Sequence, residues 1–257
     1  MKIKNKHGFI FKIVMFFAKI FKRKPIIYNL NNDKLSNNAI FISNHSAASG
    51  PLTISLFFPV FFLPWGTYEM TENYFRRWSY LYHIFYRKKI GYNKVLSLIL
   101  ATLFAIISKR LYKGMQLIPT YPDIRLRRTI NNSIKVLEKD LSVLIFPEDS
   151  NSGYHEVLLK YNTGFVYLAN SYYKKHKVDI PIYPMYFHKK SNSIIIGKKE
   201  FIKPLKDSGL NKEDIANYFK DITNNLAIKL FKINDELKNE WYMNWYLSSR
   251  QVKYYKN

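Results

Sequence analysis

Residues 39–52 read AIFISNHSAASGPL, and this stretch decides the fold of the chain. Residues 39–42 form a short apolar run, which is typical of an internal strand covered on both faces. Asn44 and His45 follow at the carboxyl end of that strand, which is the end where open α/β sheets bind ligands. A lone histidine in such a position is more often structural than catalytic, so a second stretch of sequence is needed to decide between these two roles.

Residues 142–152, SVLIFPEDSNS, provide that second stretch. They again read as a buried apolar strand that ends in a polar loop. Because both loops follow apolar strands of the same predicted sheet, we expect the His45 loop and the Glu148 loop to meet at one edge of it.

The two loops together resemble the glycerolipid acyltransferases, also called lysophospholipid acyltransferases. Residues 44–45 match the first block of that family, Asn-His-x-x-x-x-Asp, and residues 146–148 match the start of its third block, Phe-Pro-Glu-Gly-Thr-Arg. Residues 164–169, GFVYLA, match the helix that follows the third block, and residues 180–184, IPIYP, match the Val-Pro-Ile-x-Pro strand. The resemblance covers roughly residues 38–190.

The resemblance implies an α/β fold with a mixed, mainly parallel sheet flanked by helices. It implies an enzyme of phospholipid biosynthesis that moves a fatty acyl group from an acyl thioester to a hydroxyl of a lipid-type acceptor. His45 would be the general base that activates this hydroxyl. The thioester of coenzyme A or acyl carrier protein would be a co-substrate, with no bound cofactor and no metal. The implied substrate-binding residues are Asn44, Ser46, Pro147, Glu148, Ser150, Asn151 and Gly164.

The chain departs from the family at the residue that orients the histidine. The family has an aspartate five residues after it, and this chain has Gly50. A carboxylate in that role fixes the imidazole tautomer and stabilises the imidazolium. Asp149 stands where the family has glycine, so we expect Asp149, or else Glu69, to lie within hydrogen-bond reach of His45. The alternative is that Asp149 only caps the turn after its strand.

Other departures remove positive charge from the implied acceptor pocket. Asn151 stands where the family has the arginine of its third block, and Asn162 replaces a lysine of its Phe-Lys-x-Gly motif. The arginine of the second block corresponds to Pro122, and the next arginine is Arg125. Arginine binds phosphate in bidentate fashion, whereas asparagine carries no charge. We therefore predict an acceptor that depends less on phosphate. The arginines at positions 125, 127 and 128 either hold an anion or are solvated.

The charge of the chain predicts an anionic partner. The 257 residues include 41 Lys and Arg against 18 Asp and Glu, a net charge of +23. Such an excess favours nucleic acid or an anionic membrane surface. Aromatic residues make up 17% and suit a membrane interface, and no nucleic-acid-binding motif is present, so we favour the membrane. The absence of cysteine excludes disulfides and thiolate catalysis.

Residues 1–24 are predicted to form an amphipathic helix that lies on the cytoplasmic face of the cell membrane, as in a peripheral or monotopic protein. The segment is apolar between basic ends, but Lys12 and Lys19 interrupt it and it is too short to span. A helix packed on the core with a lysine-rich outer face is the alternative. Residues 25–257 then form a single domain, since no repeat or linker divides them.

Further along the chain, the pattern predicts that residues 68–86 are helical with an aromatic face. Residues 95–107 form an apolar run of about thirteen residues, too short to span a bilayer, which predicts a core helix or one half sunk in the membrane. A long amphipathic helix over residues 211–237 precedes an aromatic, basic tail over residues 241–255. His155 and His188 are expected to have no special role.

The alternative to an enzyme is a non-catalytic relative of the same fold that binds lipid or acyl chains, and Gly50 is its main support. The third hypothesis, a nucleic-acid-binding protein, is supported only by the positive net charge.

Overall fold

A computed structural model describes residues 3–149, 153 and 155–233. The strands are β1 (Ile26–Asn29), β2 (Ile40–Ser43), β3 (Phe62–Thr67), β4 (Ile118–Thr120), β5 (Ser142–Ile145), β6 (Ile182–His188) and β7 (Ser193–Ile196). The helices are α1 (Phe9–Phe21), α2 (Ser49–Phe57), α3 (Tyr74–Ser79), α4 (Lys94–Met115), α5 (Leu126–Leu137), α6 (Gly164–His176), α7 (Ile202–Asp207) and α8 (Lys212–Ile233).

The chain divides into two compact units. The first comprises Met1–Lys22 and Pro59–Ile145, and the second comprises Arg23–Phe58 and Phe146–Asn257. The strands of the first unit are all parallel, in the order β5-β3-β4, with α4 and α5 among its helices. The prediction that residues 25–257 form a single domain stays a prediction.

The second unit contains the strand order β1-β7-β6-β2. The outer pairs, β1 with β7 and β6 with β2, are parallel, and the hairpin of β6 and β7 is antiparallel. Every residue of β2 and β6 is buried, which explains their continuous apolar sequence. Helix α8 packs on β6 and β7. The predicted α/β fold with a mixed, mainly parallel sheet flanked by helices is confirmed.

The helical segment predicted over residues 68–86 is observed, with one interruption. A 3-10 turn, Tyr68–Thr71, precedes α3, and a π-helical stretch, Tyr80–Ile90, continues it. The break occurs at Asn73, whose side chain accepts a hydrogen bond of 3.0 Å from the backbone N–H of Arg76 and so caps a new helix. The apolar period is unaffected by such a cap, which is why the sequence pattern did not reveal it.

The apolar run at residues 95–107 belongs to a longer helix than predicted. Asn93 caps the start of α4, and the helix ends only at Met115, where the left-handed backbone of Gln116 (φ 63°) closes the last turn. Its 22 residues are long and apolar enough to cross a membrane by length and composition. Core helices pass the same test, so this property alone does not decide its environment.

The helix predicted over residues 1–24 forms over Phe9–Phe21, and the remaining predicted elements occur within a few residues of their expected bounds. The predicted helix over residues 211–237 is described up to Ile233. Its last residues, the aromatic tail over residues 241–255, and the predicted site residues Ser150 and Asn151 lie outside the described residues.

Candidate active site

The site begins at the carboxyl end of β2, where the chain leaves the core of the second unit. Asn44 is buried there, and its side-chain carbonyl accepts a hydrogen bond of 2.7 Å from the backbone N–H of Phe187. The amide of the same side chain donates to the carbonyl of Phe187 at 3.0 Å. Asn44 therefore fixes the end of β2 against β6 and positions the next residue. Its predicted role in substrate binding stays a prediction.

Glu148 joins the two loops that the sequence placed at one edge. Its Oε2 accepts a hydrogen bond of 2.9 Å from the backbone N–H of His45, and its Oε1 accepts a longer one of 3.5 Å from the N–H of His155. The side chain is buried, and burial raises the pKa of the Glu148 carboxyl against the lowering effect of these two donors. The predicted meeting of the two loops is observed.

The His45 side chain is half-buried at this junction. Its ring meets the ring of Phe146 edge-on, with 5.1 Å between centroids, and its Nδ1 is buried. Glu148 contacts the backbone of His45 in the bond described above. The carboxylate thus places the histidine, which is a different task from orienting its ring through Nδ1.

The loop after His45 turns sharply. Ser46 and Ala47 both have left-handed backbone angles, with φ of 46° and 53°, which non-glycine residues adopt at a cost. The turn brings Gly50 under the preceding loop, where a Cβ added to Gly50 would lie 2.4 Å from the carbonyl oxygen of His45. The position that carries the family's aspartate therefore has no room for any side chain in this structure.

Residues 147–149 are held as a short ladder against residues 160–162. The N–H of Asn162 donates to the carbonyl of Pro147 at 2.7 Å, and the N–H of Asp149 donates to the carbonyl of Lys160 at 3.1 Å. The Asp149 carboxylate lies 4.0 Å from the Lys160 ammonium. The role of Asp149 as the orienting partner of the His45 ring stays a prediction. Pro147 is buried in this ladder.

A buried residue that the sequence analysis did not single out holds the loop around Leu158 against α8. Asn224 on α8 is buried, and its side chain both accepts from the N–H of Leu158, at 2.9 Å, and donates to the carbonyl of Leu158, at 3.0 Å. An asparagine within the buried side of an amphipathic helix was the signal, since a buried amide requires partners. Gly164, a predicted site residue, is the first residue of α6.

His188 and Arg125, which lie outside this junction, are engaged by neighbouring side chains. His188 is buried, with Nδ1 2.9 Å from the hydroxyl of Ser191. In the first unit, Arg125 pairs with Asp123 at 2.6 Å, and its guanidinium carbon lies 4.9 Å and 4.7 Å from the ring centroids of Tyr68 and Tyr121. These hydrogen bonds lower the pKa of Asp123 to about 2. The charge of Arg125 is therefore already matched by a carboxylate. Among the described residues, no cluster of His, Asp and Glu could hold a metal ion.

No protein-family model and no curated protein matches the chain. Its structure is similar to the crystal structure of the 1-acyl-sn-glycerophosphate (LPA) acyltransferase, PlsC, from Thermotoga maritima, with 13% identity and a TM-score of 0.49. The match covers 86% of this chain and 79% of that chain. A likeness of this degree establishes neither a family nor an activity.

Proposed function

We propose that the chain is a membrane-associated acyltransferase that moves a fatty acyl group from an acyl thioester to the hydroxyl of a lipid-type acceptor. The junction of His45 with Glu148 carries this proposal. It combines a half-buried imidazole at the carboxyl end of a strand with a buried carboxylate that fixes the backbone from which the imidazole projects. This is the arrangement expected of a positioned general base.

In the proposed reaction, the His45 imidazole accepts the proton of the acceptor hydroxyl as the oxygen attacks the thioester carbonyl carbon. A C–O bond forms, the C–S bond then breaks, and the thiolate that leaves takes the proton from the imidazolium. The products are an ester and a free thiol of coenzyme A or acyl carrier protein. Base catalysis of this kind contributes about a hundredfold to ten-thousandfold in rate.

We propose an acceptor that depends little on phosphate. Asn151 and Asn162 are neutral where the resembled family has cations, and Arg125 pairs with Asp123. A phosphate group would gain no new charge pair from a guanidinium that a carboxylate already occupies. Neutral lipid-type acceptors are the first ones to test.

We propose attachment to the cytoplasmic face of the membrane through residues 8–22, where thioester donors and anionic lipids are both present. Helix α1 forms over Phe9–Phe21, and of its residues, all of which are described, Phe11 alone is buried. Lys12 and Lys19, seven residues apart, lie along one edge of its apolar arc. An apolar face together with a basic surface supplies the two signals that stable attachment needs.

The second candidate function is a non-catalytic protein that binds lipid or acyl chains. The packing of Gly50 against His45 favours it, because the loop has closed over the position of the carboxylate that usually serves the histidine. Such a protein would retain the apolar surface of α1 and bind thioesters without turnover.

Thiol release from acyl-coenzyme A or acyl carrier protein, together with ester formation on a panel of lipid hydroxyls, separates the two candidates. The chain has no cysteine, so a thiol reagent detects only the released carrier. Acyl transfer that His45→Ala abolishes supports the enzyme. Saturable acyl-chain binding without thiol release by wild type on any acceptor supports the binding protein and overturns the enzyme.

A further inference from the structure

Helix α4 buries small and polar residues, whereas a core helix buries large apolar ones. Its buried positions are small or polar: Ser97, Ala101, Ala105 and Ser108. Most of its large aliphatic side chains are exposed: Val95, Leu96, Leu98, Ile99, Leu103, Ile106 and Ile107. An amphipathic helix of a soluble domain has the reverse distribution. The outer face of α4 is therefore a contiguous apolar surface, the kind that marks an interaction site.

Polar contacts fix the inner face of α4, so its aliphatic face is held on the outside of the helix packing. The buried Arg77 donates from Nη2 to the carbonyl of Ala105 at 2.9 Å and from Nε to the hydroxyl of Ser108 at 3.2 Å. The indole N–H of Trp78 donates to the hydroxyl of Thr102 at 3.0 Å. Arg77 thus contacts residues 105 and 108 of α4, and Trp78, one residue later in α3, contacts residue 102.

Helix α1 contacts the carboxyl-terminal end of α4. The N–H of Gly8 donates to the carbonyl of Gly114 at 2.8 Å, and a Cβ on Gly114 would lie 2.8 Å from the Cβ of Phe11. The two glycines thus permit a close crossing of the two helices. The exposed apolar arcs of α1 and α4 belong to the same compact unit.

The basic residues of α4 match an anionic surface. Arg110 and Lys113 are exposed and lie at the end of the aliphatic face, on the same side of the helix by the 3.6-residue period. Long basic side chains at the end of an apolar face reach lipid headgroups while their aliphatic stems stay among the acyl chains of the lipids. A shallow apolar groove of about 420 Å³, lined by Tyr86, Leu100, Leu103, Phe104, Ile106 and Ile107, lies along the helix.

We infer that α4 is a second membrane-contacting helix, which lies in the plane of an anionic bilayer with its aliphatic face in the acyl-chain region. This extends the membrane attachment of the proposed function from α1 to α4. A spanning orientation would carry α3 and the π-helical stretch with it, because they pack along α4. Those segments expose Arg76, Arg87 and Lys88, charges that the interior of a bilayer disfavours.

The absence of cysteine allows a direct test with single-cysteine variants of the full chain that carry a polarity-sensitive fluorophore. Labels at Val95→Cys and Ile106→Cys stand about 16 Å apart along the helix axis. On vesicles of phosphatidylcholine with phosphatidylglycerol, both labels are expected to shift to the blue. Brominated lipids are expected to quench both at the same depth. A label at Val178→Cys, exposed after α6, is the matched control and is expected not to shift.

Three results would overturn the inference. The label on residue 106 could remain in water while the protein is bound to vesicles, or the two labels on α4 could report different depths, which would indicate spanning. A blue shift without vesicles that grows with protein concentration would assign the face to a second copy. As a further check, Leu103→Ser with Ile106→Ser should weaken vesicle binding about a hundredfold, whereas Val178→Ser should not. None of these readouts depends on acyl transfer, so a failure of the proposed activity is distinguishable from a failure of this inference.

Discussion

The backbone N–H of His45 donates a hydrogen bond of 2.9 Å to Oε2 of Glu148, a residue 103 positions later in the chain. The bond joins the carboxyl end of β2 to the loop after β5. It uses the carboxylate to fix the position of the histidine backbone, which leaves the orientation of the imidazole ring to other groups.

Removal of this carboxylate should destabilise the fold. Glu148→Ala leaves the N–H of His45 without its acceptor in a buried place, and we expect a loss of about 2 kcal/mol in the free energy of unfolding. Glu148→Gln keeps one oxygen acceptor and should cost less than half as much. Urea unfolding measures both variants, and equal losses would contradict the assigned hydrogen bond.

The stability should also depend on pH through Glu148. Burial raises the pKa of its carboxyl above the ordinary value of 4.5, so the folded state binds this proton more tightly than the unfolded state does. The stability contributed by the protonated carboxyl is present below 4.5 and is lost as pH rises through the folded pKa. The wild type should therefore lose stability relative to Glu148→Gln across that interval. Burial also raises the pKa values of Glu200 and Asp221. Their contributions are the same in both proteins, so they cancel when the unfolding free energies of wild type and Glu148→Gln are subtracted. A difference that is constant with pH would contradict the prediction.

A side chain at position 50 should disrupt the site. The Cβ of Gly50→Ala would meet the His45 carbonyl oxygen at 2.4 Å, and we expect a loss of about 1–3 kcal/mol in unfolding free energy together with reduced acyl transfer. Gly50→Asp should lower the activity further, although it restores the aspartate of the family. Gly91→Ala is the control for acyl transfer alone, because nothing lies within 4 Å of its added Cβ but its positive φ of 84° makes any side chain there cost stability. Higher activity in Gly50→Asp would show that the loop opens to accept the carboxylate.

Asp149 can be tested against its ion-pair partner. If Asp149 orients the His45 ring, Asp149→Asn should reduce acyl transfer nearly as much as His45→Ala, by about a thousandfold. Lys160→Met removes the other end of the Asp149–Lys160 pair and should then leave acyl transfer within about twofold. Small and equal effects of the two changes would assign Asp149 to the turn alone.

The sequence predicted the fold class and the meeting of the two loops because both depend on local pattern. Apolar runs define β2 and β5, and the ends of such strands collect ligand-binding loops. The bond from Asn44 to Phe187 and the bond from Asn224 to Leu158 join residues 143 and 66 positions apart. No local period encodes such partners, so the sequence revealed neither bond.

Two other features depended on atomic detail that composition does not contain. Arg125 was considered as an anion site, but the structure pairs it with Asp123, two residues earlier, and places it against the rings of two tyrosines. The sequence predicted α4 only over its aliphatic run, residues 95–107. In the structure the helix continues through the basic residues after Ile107 to Met115. Lysine and arginine are good helix formers, and a count of apolar residues does not register them.

The central claim is that His45 is the base of an acyl transfer, and the most direct measurement compares thiol release by wild type and by His45→Ala at saturating acyl thioester and acceptor. Both proteins are first matched for folding by circular dichroism and for vesicle binding. We predict that His45→Ala lowers the rate by about a thousandfold while binding of the thioester persists. A His45→Ala protein that transfers acyl groups at the wild-type rate would contradict the account.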